Sequence, residues 1–135
     1  MTEKISFNRT FQLLENAMDI AHQRHNVMTS NISNIDTPGY RPKDIDFKSA
    51  MSQAMNPGHT VRLTATHEGH MGRQPESTVK ADVFEEKGEW NGFNYMDSDR
   101  LITNMTENNL IYKTATETLL RKIAIMKEII REGGR

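Results

Sequence analysis

Four of the chain's five histidines form two pairs whose spacing could supply metal ligands. His22 and His25 make one pair, and His67 and His70 make the other. A zinc site needs three or four ligands, and no third ligand stands at a matching spacing. The run from His67 to His70 is one residue shorter than the His-Glu-x-x-His motif, and Gly69 opposes the helix that this motif requires. We therefore predict no metal site.

Other catalytic chemistry has equally little support in the sequence. The chain has no cysteine, which excludes disulfides, thiolate catalysis and cysteine metal ligands. Gly69 and Gly72 are not followed by the lysine and the serine or threonine of a phosphate-binding loop, and no serine stands in a nucleophile elbow. Glu85, Glu86 and Glu89 surround a lysine, a pattern typical of a solvated surface. We expect a protein that is not an enzyme and binds no cofactor.

The composition argues against a large self-contained core. The 135 residues are 36% hydrophobic, and nine methionines with one tryptophan indicate adaptable apolar contacts. The net charge of −1 gives no electrostatic footprint for nucleic acid or an acidic membrane. We expect no cleavable signal peptide and no transmembrane segment, because no apolar run has the length that either requires. A location outside the cytoplasm would then require export without signal cleavage.

Two predicted helices must hold the functional residues of this chain in place, and the first is a long helix at residues 7–34. Its apolar side chains recur at alternating spacings of four and three, which is typical of a helix packed lengthwise on others. This first seam consists of Phe7, Phe11, Leu14, Met18, Ala21, His25, Met28, Ile32 and Ile35. The opposite face is rich in asparagine and other weak helix formers. We expect the helix to be marginal alone and firm only when packed.

The second element is another long helix with a seam of the same spacing, close to the C-terminal end of the sequence. This second seam consists of Ile102, Met105, Asn109, Tyr112, Thr116, Leu119, Ile123, Met126 and Ile130. Asn109 and Thr116 interrupt its apolar character. Asp97 and Asp99 suit the beginning of the helix, and Gly133 suits its end. We predict that the two seams pack on each other and on helices of partner subunits. The predicted assembly residues are Phe7, Phe11, Leu14, Met18, Met28, Ile32, Ile102, Met105, Tyr112, Leu119, Ile123, Met126 and Ile130.

Between the helices the sequence predicts a small insert rich in glycine. Alternating apolar and polar residues at 61–66 and 79–83 predict two short strands, and residues 47–55 have the spacing of a short helix. Trp90, Phe93 and Tyr95 are expected to pack on this β region. The predicted fold is mainly α, with two long terminal helices as a coiled-coil-like pair. We expect one structural unit divided into a helix at 1–36, an insert at 37–96 and a helix at 97–135.

A tight turn is predicted where the first helix ends. Thr37 precedes a proline, which disfavours helical backbone at that residue. Pro38 presets the φ angle for the second position of a turn, and Gly39 tolerates the positive φ that a type II turn requires next. Asn31 and Asn34 lie three residues apart on the preceding helix, where they could bond to backbone or to a neighbouring chain.

The segment from Asn31 to Tyr40 resembles the signature that closes the N-terminal helix in the bacterial flagellar rod, hook and filament-cap-junction family. The turn motif consists of Asn31, Asn34, Thr37, Pro38, Gly39 and Tyr40. Ser30 and Ser33 stand where the family has alanine, so these side chains remain small. Residues 41–47, 92–97 and 107–112 are similar to segments of the proximal rod members. The likeness covers both ends of the chain and leaves the glycine-rich middle unmatched.

The resemblance implies a structural subunit of the proximal rod, in the periplasmic part of the flagellar basal body. It also implies export by the flagellar type III apparatus without signal cleavage. The implied partners are other rod subunits, the membrane ring, FliE-type junction proteins and the export apparatus. We expect an oligomer in the rod and a monomer with poorly ordered termini in isolation. The residues alone leave one alternative open, a soluble cytosolic helical adaptor that binds partner helices.

Overall fold

A computed structural model describes residues 2–56 and 80–133, with side chains from residue 8 onward. The elements in these residues are α1 (Thr2–Ser33), β1 (Lys43–Ile45), α2 (Phe47–Met55), β2 (Val83–Glu85) and α3 (Ser98–Gly133). The long helices α1 and α3 pack along each other, and the short elements lie between them in the chain. The predicted fold class, mainly α with a helical pair and a small β insert, is therefore confirmed.

α1 and α3 run antiparallel, since residues later in α1 contact residues earlier in α3. Met28 packs with Leu101, and Leu14 lies nearer the other end of the pair with Ala115. Ala115 and Ala17 are small, which lets the two backbones approach closely in the middle of the pair. The result is an apolar interface that extends from Leu14 to Met28 on α1.

The buried stripe of each helix is displaced by about one residue from the predicted seams. On α1 the residues Leu14, Ala21 and Met28 lie inside as expected, but the positions between them are taken by Ala17, Arg24 and Asn31. His25 and Ile32 are exposed. On α3 the buried residues are Leu101, Asn108 and Ala115, and each lies one position before a predicted seam residue.

A third element packed on α1 accounts for this displacement. α1 contacts α2 and β1 as well as α3, so its buried sector is wider than a two-helix seam. Ile20 is fully buried against Ile45 and Ala50, on the side of α1 away from the predicted seam. Phe47 of α2 also packs on the Leu14 and Ala17 cluster. Heptad spacing describes the contact within a pair of helices and gives no information on contacts with a third element.

The short elements are fixed by local hydrogen bonds. Asp46 caps α2 by accepting hydrogen bonds from the backbone N–H groups of Lys48 and Ser49. β1 pairs antiparallel with β2, with Ile45 opposite Val83. The Oδ1 atom of Asp97 accepts from the backbone N–H groups of residues 99 and 100, so Asp97 is the N-cap of α3. The predicted helix at 47–55 agrees with α2.

The insert departs from expectation at its strands and aromatic residues. The strand predicted at 61–66 lies outside the described residues. The strand predicted at 79–83 overlaps the observed β2 (Val83–Glu85) only at Val83. Trp90 and Phe93 are about half exposed and belong to none of the buried clusters of the described residues. Instead, Trp90 meets Tyr95 edge-on at 5.2 Å between ring centroids, and the Arg41 guanidinium lies 4.2 Å from the Tyr95 ring centroid. Within the described residues, no helix is sufficiently long and apolar to cross a membrane.

Candidate functional site

The turn that follows α1 has the geometry that its sequence predicts. The backbone N–H of Tyr40 donates to the Thr37 carbonyl at 3.3 Å, which closes a four-residue turn. Gly39 has a φ of 71°, as the third position of a type II turn requires. Asn34 donates from Nδ2 to the Ser30 carbonyl at 2.8 Å, and its Oδ1 accepts from the Thr37 hydroxyl at 3.3 Å. The turn is therefore held by its own side chains.

Asn31 connects the end of α1 to β1. Its side chain is buried, and Nδ2 donates to the Lys43 carbonyl at 2.6 Å. Its Oδ1 accepts from the Lys43 backbone N–H at 2.9 Å and from the Tyr40 hydroxyl at 3.1 Å. An amide offers one acceptor and one donor group, and both are used here. The Asn31 amide thus bonds to both backbone groups of Lys43, as the backbone of a neighbouring strand would.

Asn94 performs the corresponding task from the loop before α3. It is 2% exposed, and Nδ2 donates to the Ile35 carbonyl at 2.6 Å. Its Oδ1 accepts from the Met96 backbone N–H at 2.9 Å and from Nδ2 of Asn91 at 2.8 Å. Sequence reasoning did not single out Asn94 as a site residue. The available signal was the pair Asn91 and Asn94, which repeats the three-residue spacing of the asparagines in the turn motif.

Backbone hydrogen bonds join the turn to the same loop. The Gly39 N–H donates to the Phe93 carbonyl at 2.9 Å, and the Tyr95 N–H donates to the Tyr40 carbonyl at 3.0 Å. Behind these bonds Met28, Met96 and Leu101 form a buried cluster. We call residues 31–43 and 91–97 together the turn cap. It closes one end of the helical pair and fixes where α3 begins relative to the end of α1.

A buried ion pair attaches β1 to α1 just beyond the turn cap. Arg24 donates from Nε and one terminal nitrogen to the two carboxylate oxygens of Asp44, both at 2.8 Å. Its other terminal nitrogen donates to Oε2 of Glu107 on α3 at 3.2 Å. The hydrogen bond to Asp44 is the main cause that raises the pKa of Arg24 above its ordinary value, and burial acts in the opposite direction. Arg24 therefore remains charged and links three elements.

The predicted assembly residues of the two seams fall into three groups according to their exposure. Leu14 and Met28 are buried. The half-buried members are Phe11, Met18, Met105, Leu119, Ile123 and Met126. The exposed members are Ile32, Ile102, Tyr112 and Ile130. Phe7 lies outside the residues whose side chains are described. Packing within one chain thus covers these eight buried or half-buried residues at least in part and leaves the other four in contact with solvent.

α3 presents further large apolar side chains to solvent. We call these the exposed α3 set: Ile102, Leu110, Tyr112, Leu120, Ile125, Ile129 and Ile130. Ile130 is 71% exposed although it lies at a seam position, and Leu120 is 61% exposed. Singly exposed apolar residues are common, but a helix with this many suggests contact surface for another molecule.

Metal chemistry has no assembled site among the described residues. Across residues 8–56 and 80–133, no group of three or more histidine, cysteine, aspartate or glutamate side chains could hold an ion. His22 and His25 are exposed on α1, and His67 and His70 lie outside the described residues. Polar side chains that the fold does bring together include those of the turn cap, those of the Arg24 ion pair, and Glu86 with Asn104 and Arg100.

Comparisons with known proteins agree on one family. A family model described as "Flagella basal body rod protein" matches residues 11–41, which comprise most of α1 and the turn. The chain is 32% identical to the flagellar basal body rod protein FlgB of Yersinia enterocolitica, across 98% of this chain and 100% of that protein. It is 31% identical to FlgB of Escherichia coli K12, with 99% and 100% covered. For FlgB of Bacillus subtilis 168 the identity is 28%, with 94% and 97% covered.

Proposed function

The chain belongs to the FlgB family of flagellar basal body rod proteins, and we propose that it is a proximal-rod subunit that polymerises through its terminal helices. It is a structural component of the rod. The observation that supports polymerisation through the helices is the exposed α3 set, which leaves large apolar side chains without a cover in the single chain. Family membership favours this function over the cytosolic helical adaptor that the residues alone leave open.

In this proposal the helices at 1–36 and 97–135 are the assembly elements, and the insert at 37–96 lies between them. Apolar members of the seams that one chain leaves exposed, such as Ile102, Tyr112 and Ile130, pack on helices of adjoining subunits. Full burial of an exposed isoleucine side chain contributes about 1.5–3 kcal/mol, so burial of these side chains favours association. Before incorporation the chain is a monomer, and in the rod it is an oligomer.

The proposed route and partners follow from the family. The chain leaves the cytoplasm through the flagellar type III export apparatus without signal cleavage and is assembled in the periplasmic part of the basal body. Its partners are other rod subunits, the membrane ring and FliE-type junction proteins. No nucleic acid takes part. The antiparallel pair held by the turn cap keeps the two assembly helices together in each subunit.

Leu120→Asp, expressed in a strain that lacks its own copy of the gene, tests this proposal. Leu120 is exposed, so the isolated variant should keep the melting temperature of the parent. In an assembled rod the new charge would be buried without a partner, which costs several kcal/mol. We expect normal export in immunoblots, no motility in soft agar and basal bodies without a complete rod in electron micrographs. Leu119 is less suitable, because it packs on the α1–α3 core.

Gln12→Asp is the control, since Gln12 is exposed on α1 and polar already. This variant should be exported and should support motility. Motile cells with basal bodies of normal length in the Leu120→Asp strain would exclude this part of α3 from assembly.

A further inference from the structure

Asn91 and Gly92 form the only Asn-Gly pair of the sequence, and an asparagine followed by glycine can lose its side-chain amide without an enzyme. The backbone nitrogen of Gly92 bonds to Cγ of Asn91, and its proton passes through solvent to the side-chain nitrogen, which leaves as ammonia. Water then opens the resulting five-membered ring at either carbonyl group, so the product is aspartate or isoaspartate. Glycine favours this reaction because it has no Cβ atom to obstruct its nitrogen.

The folded chain holds the amide of Asn91 at both ends. Its Nδ2 donates to Oδ1 of Asn94 at 2.8 Å and to the Met96 carbonyl at 3.0 Å. Its Oδ1 accepts from the backbone N–H groups of Phe93 at 3.0 Å and of Asn94 at 2.9 Å. The backbone N–H of Asn91 donates to the Asn94 carbonyl at 3.0 Å. Side chain and backbone of this loop therefore restrain each other.

These hydrogen bonds remove the freedom that deamidation requires. For the Gly92 nitrogen to approach Cγ of Asn91 from above the amide plane, the amide and the adjoining backbone must turn. Such a turn breaks the hydrogen bonds of the amide, and a misplacement of about 1 Å can slow a reaction about a hundredfold. Gly92 is fixed as well, at a φ of 97°. Asn91 is exposed to solvent, so hydrogen bonding and not burial protects it.

We propose that Asn91 is a modification site that the fold protects: it deamidates while the chain is unfolded and stays intact once the turn cap has formed. The product does not fit the loop, because an ionised aspartate has no donor and would face two acceptors, Oδ1 of Asn94 and the Met96 carbonyl. Asn94 also holds the Ile35 carbonyl beyond α1, so the change reaches the junction of the long helices. The extent of deamidation thus records the time that a chain has spent unfolded, whether or not it is a rod subunit.

Peptide mapping by mass spectrometry tests the proposal on the whole protein. One sample is incubated in buffer at mildly alkaline pH, and another at the same pH in enough guanidinium chloride to unfold it. Asn34 of the same chain is the internal control, because the β-branched side chain of Ile35 obstructs the nitrogen that follows it. Gly92→Ala is the matched control for the unfolded sample, since it adds only a methyl group at the attacking residue.

We expect Asn91 of the unfolded protein to convert at least about tenfold faster than Asn91 of the folded protein, and faster than Asn34 in the same sample. Gly92→Ala should slow the conversion of the unfolded chain to nearly the rate at Asn34. A folded rate within about tenfold of the unfolded rate would overturn the protection. An unfolded chain in which Asn91 converts no faster than Asn34 would overturn the site.

Asn91→Asp tests the consequence for the turn cap, because this variant carries the product side chain from the beginning. We expect a urea midpoint clearly below that of the parent, or failure to fold. Asn109→Asp is the control, since it adds the same charge at an exposed position of α3 and should keep the midpoint of the parent. An Asn91→Asp protein with the midpoint of the parent would contradict the claim that the product does not fit the loop.

Discussion

Removal of Asp44 should reveal how much the fold depends on one buried ion pair. Asp44 and Arg24 are both nearly enclosed, and two hydrogen bonds of 2.8 Å join them. In Asp44→Ala the guanidinium stays buried and retains Glu107 alone, at 3.2 Å. Loss of one partner of a buried pair typically costs about 3–5 kcal/mol. We expect a value near the lower end, about 3 kcal/mol, because Glu107 still compensates part of the charge.

The free energy of unfolding is measured by urea titration, with the circular dichroism at 222 nm as the signal. A loss of about 3 kcal/mol is a large fraction of the 5–15 kcal/mol that holds a typical domain together, so the midpoint should move clearly. Glu107→Gln is the control. Its carboxylate is 59% exposed, and exposed pairs contribute about 0–1 kcal/mol.

The double variant Arg24→Met with Asp44→Leu tests how much the two charges contribute compared with apolar packing at the same positions. Replacement of both charges by apolar side chains should return the stability close to that of the parent or above it. The reasoning fails if Asp44→Ala unfolds within about 1 kcal/mol of the parent. It also fails if Glu107→Gln costs as much as Asp44→Ala, since the exposed carboxylate would then be the important partner.

Two glycines give further predictions, each checked by thermal melting of the isolated protein. Gly39→Ala should lose about 1–2 kcal/mol because its φ of 71° is unfavourable for a residue with a Cβ atom, and an unchanged melting temperature would contradict the observed turn. Gly88→Ala should lose about 1–3 kcal/mol because the new Cβ would lie 2.3 Å from the Tyr95 carbonyl oxygen. Gly133→Ala serves as the control for both, since among the described residues no atom beyond the adjoining part of α3 lies within 4 Å of its Cβ position, and a helix favours alanine.

The long helices and the turn could be predicted from the sequence because each depends on local chemistry. Pro38 and Gly39 specify the turn in four residues, and seam spacing specifies a packed helix without naming its partner. Which side of α1 is buried could not be predicted in the same way. Ile20 is enclosed because α2 and β1 fold back on α1 from beyond the turn, and no pattern within α1 contains that information.

The buried polar residues were the least predictable part of the candidate site. Alternation after the turn places Ile45 and Phe47 on one face and Asp44 on the other, which is normally the solvated face. In the structure the face of Asp44 meets Arg24, so both faces of β1 are covered. Asn108 and Asn109 are chemically identical neighbours, and only the packing decides that the first is enclosed. A pairing between distant residues leaves no trace in the spacing of either.

The antiparallel pair has a mechanical consequence. The beginning of α1 and the end of α3 lie side by side, at the opposite end of the molecule from the turn cap. A force that pulls the first residues of α1 away from the end of α3 would therefore act on the contacts between the helices one after another and not on all of them together. The stack of Phe11 and Lys122 is reached first, the bond between Ala21 and Asn108 later, and the turn cap last. The two helices would then separate turn by turn, and the force needed is the force that breaks the contacts of one helical turn. In a parallel pair pulled from opposite ends, all contacts would resist the force at once.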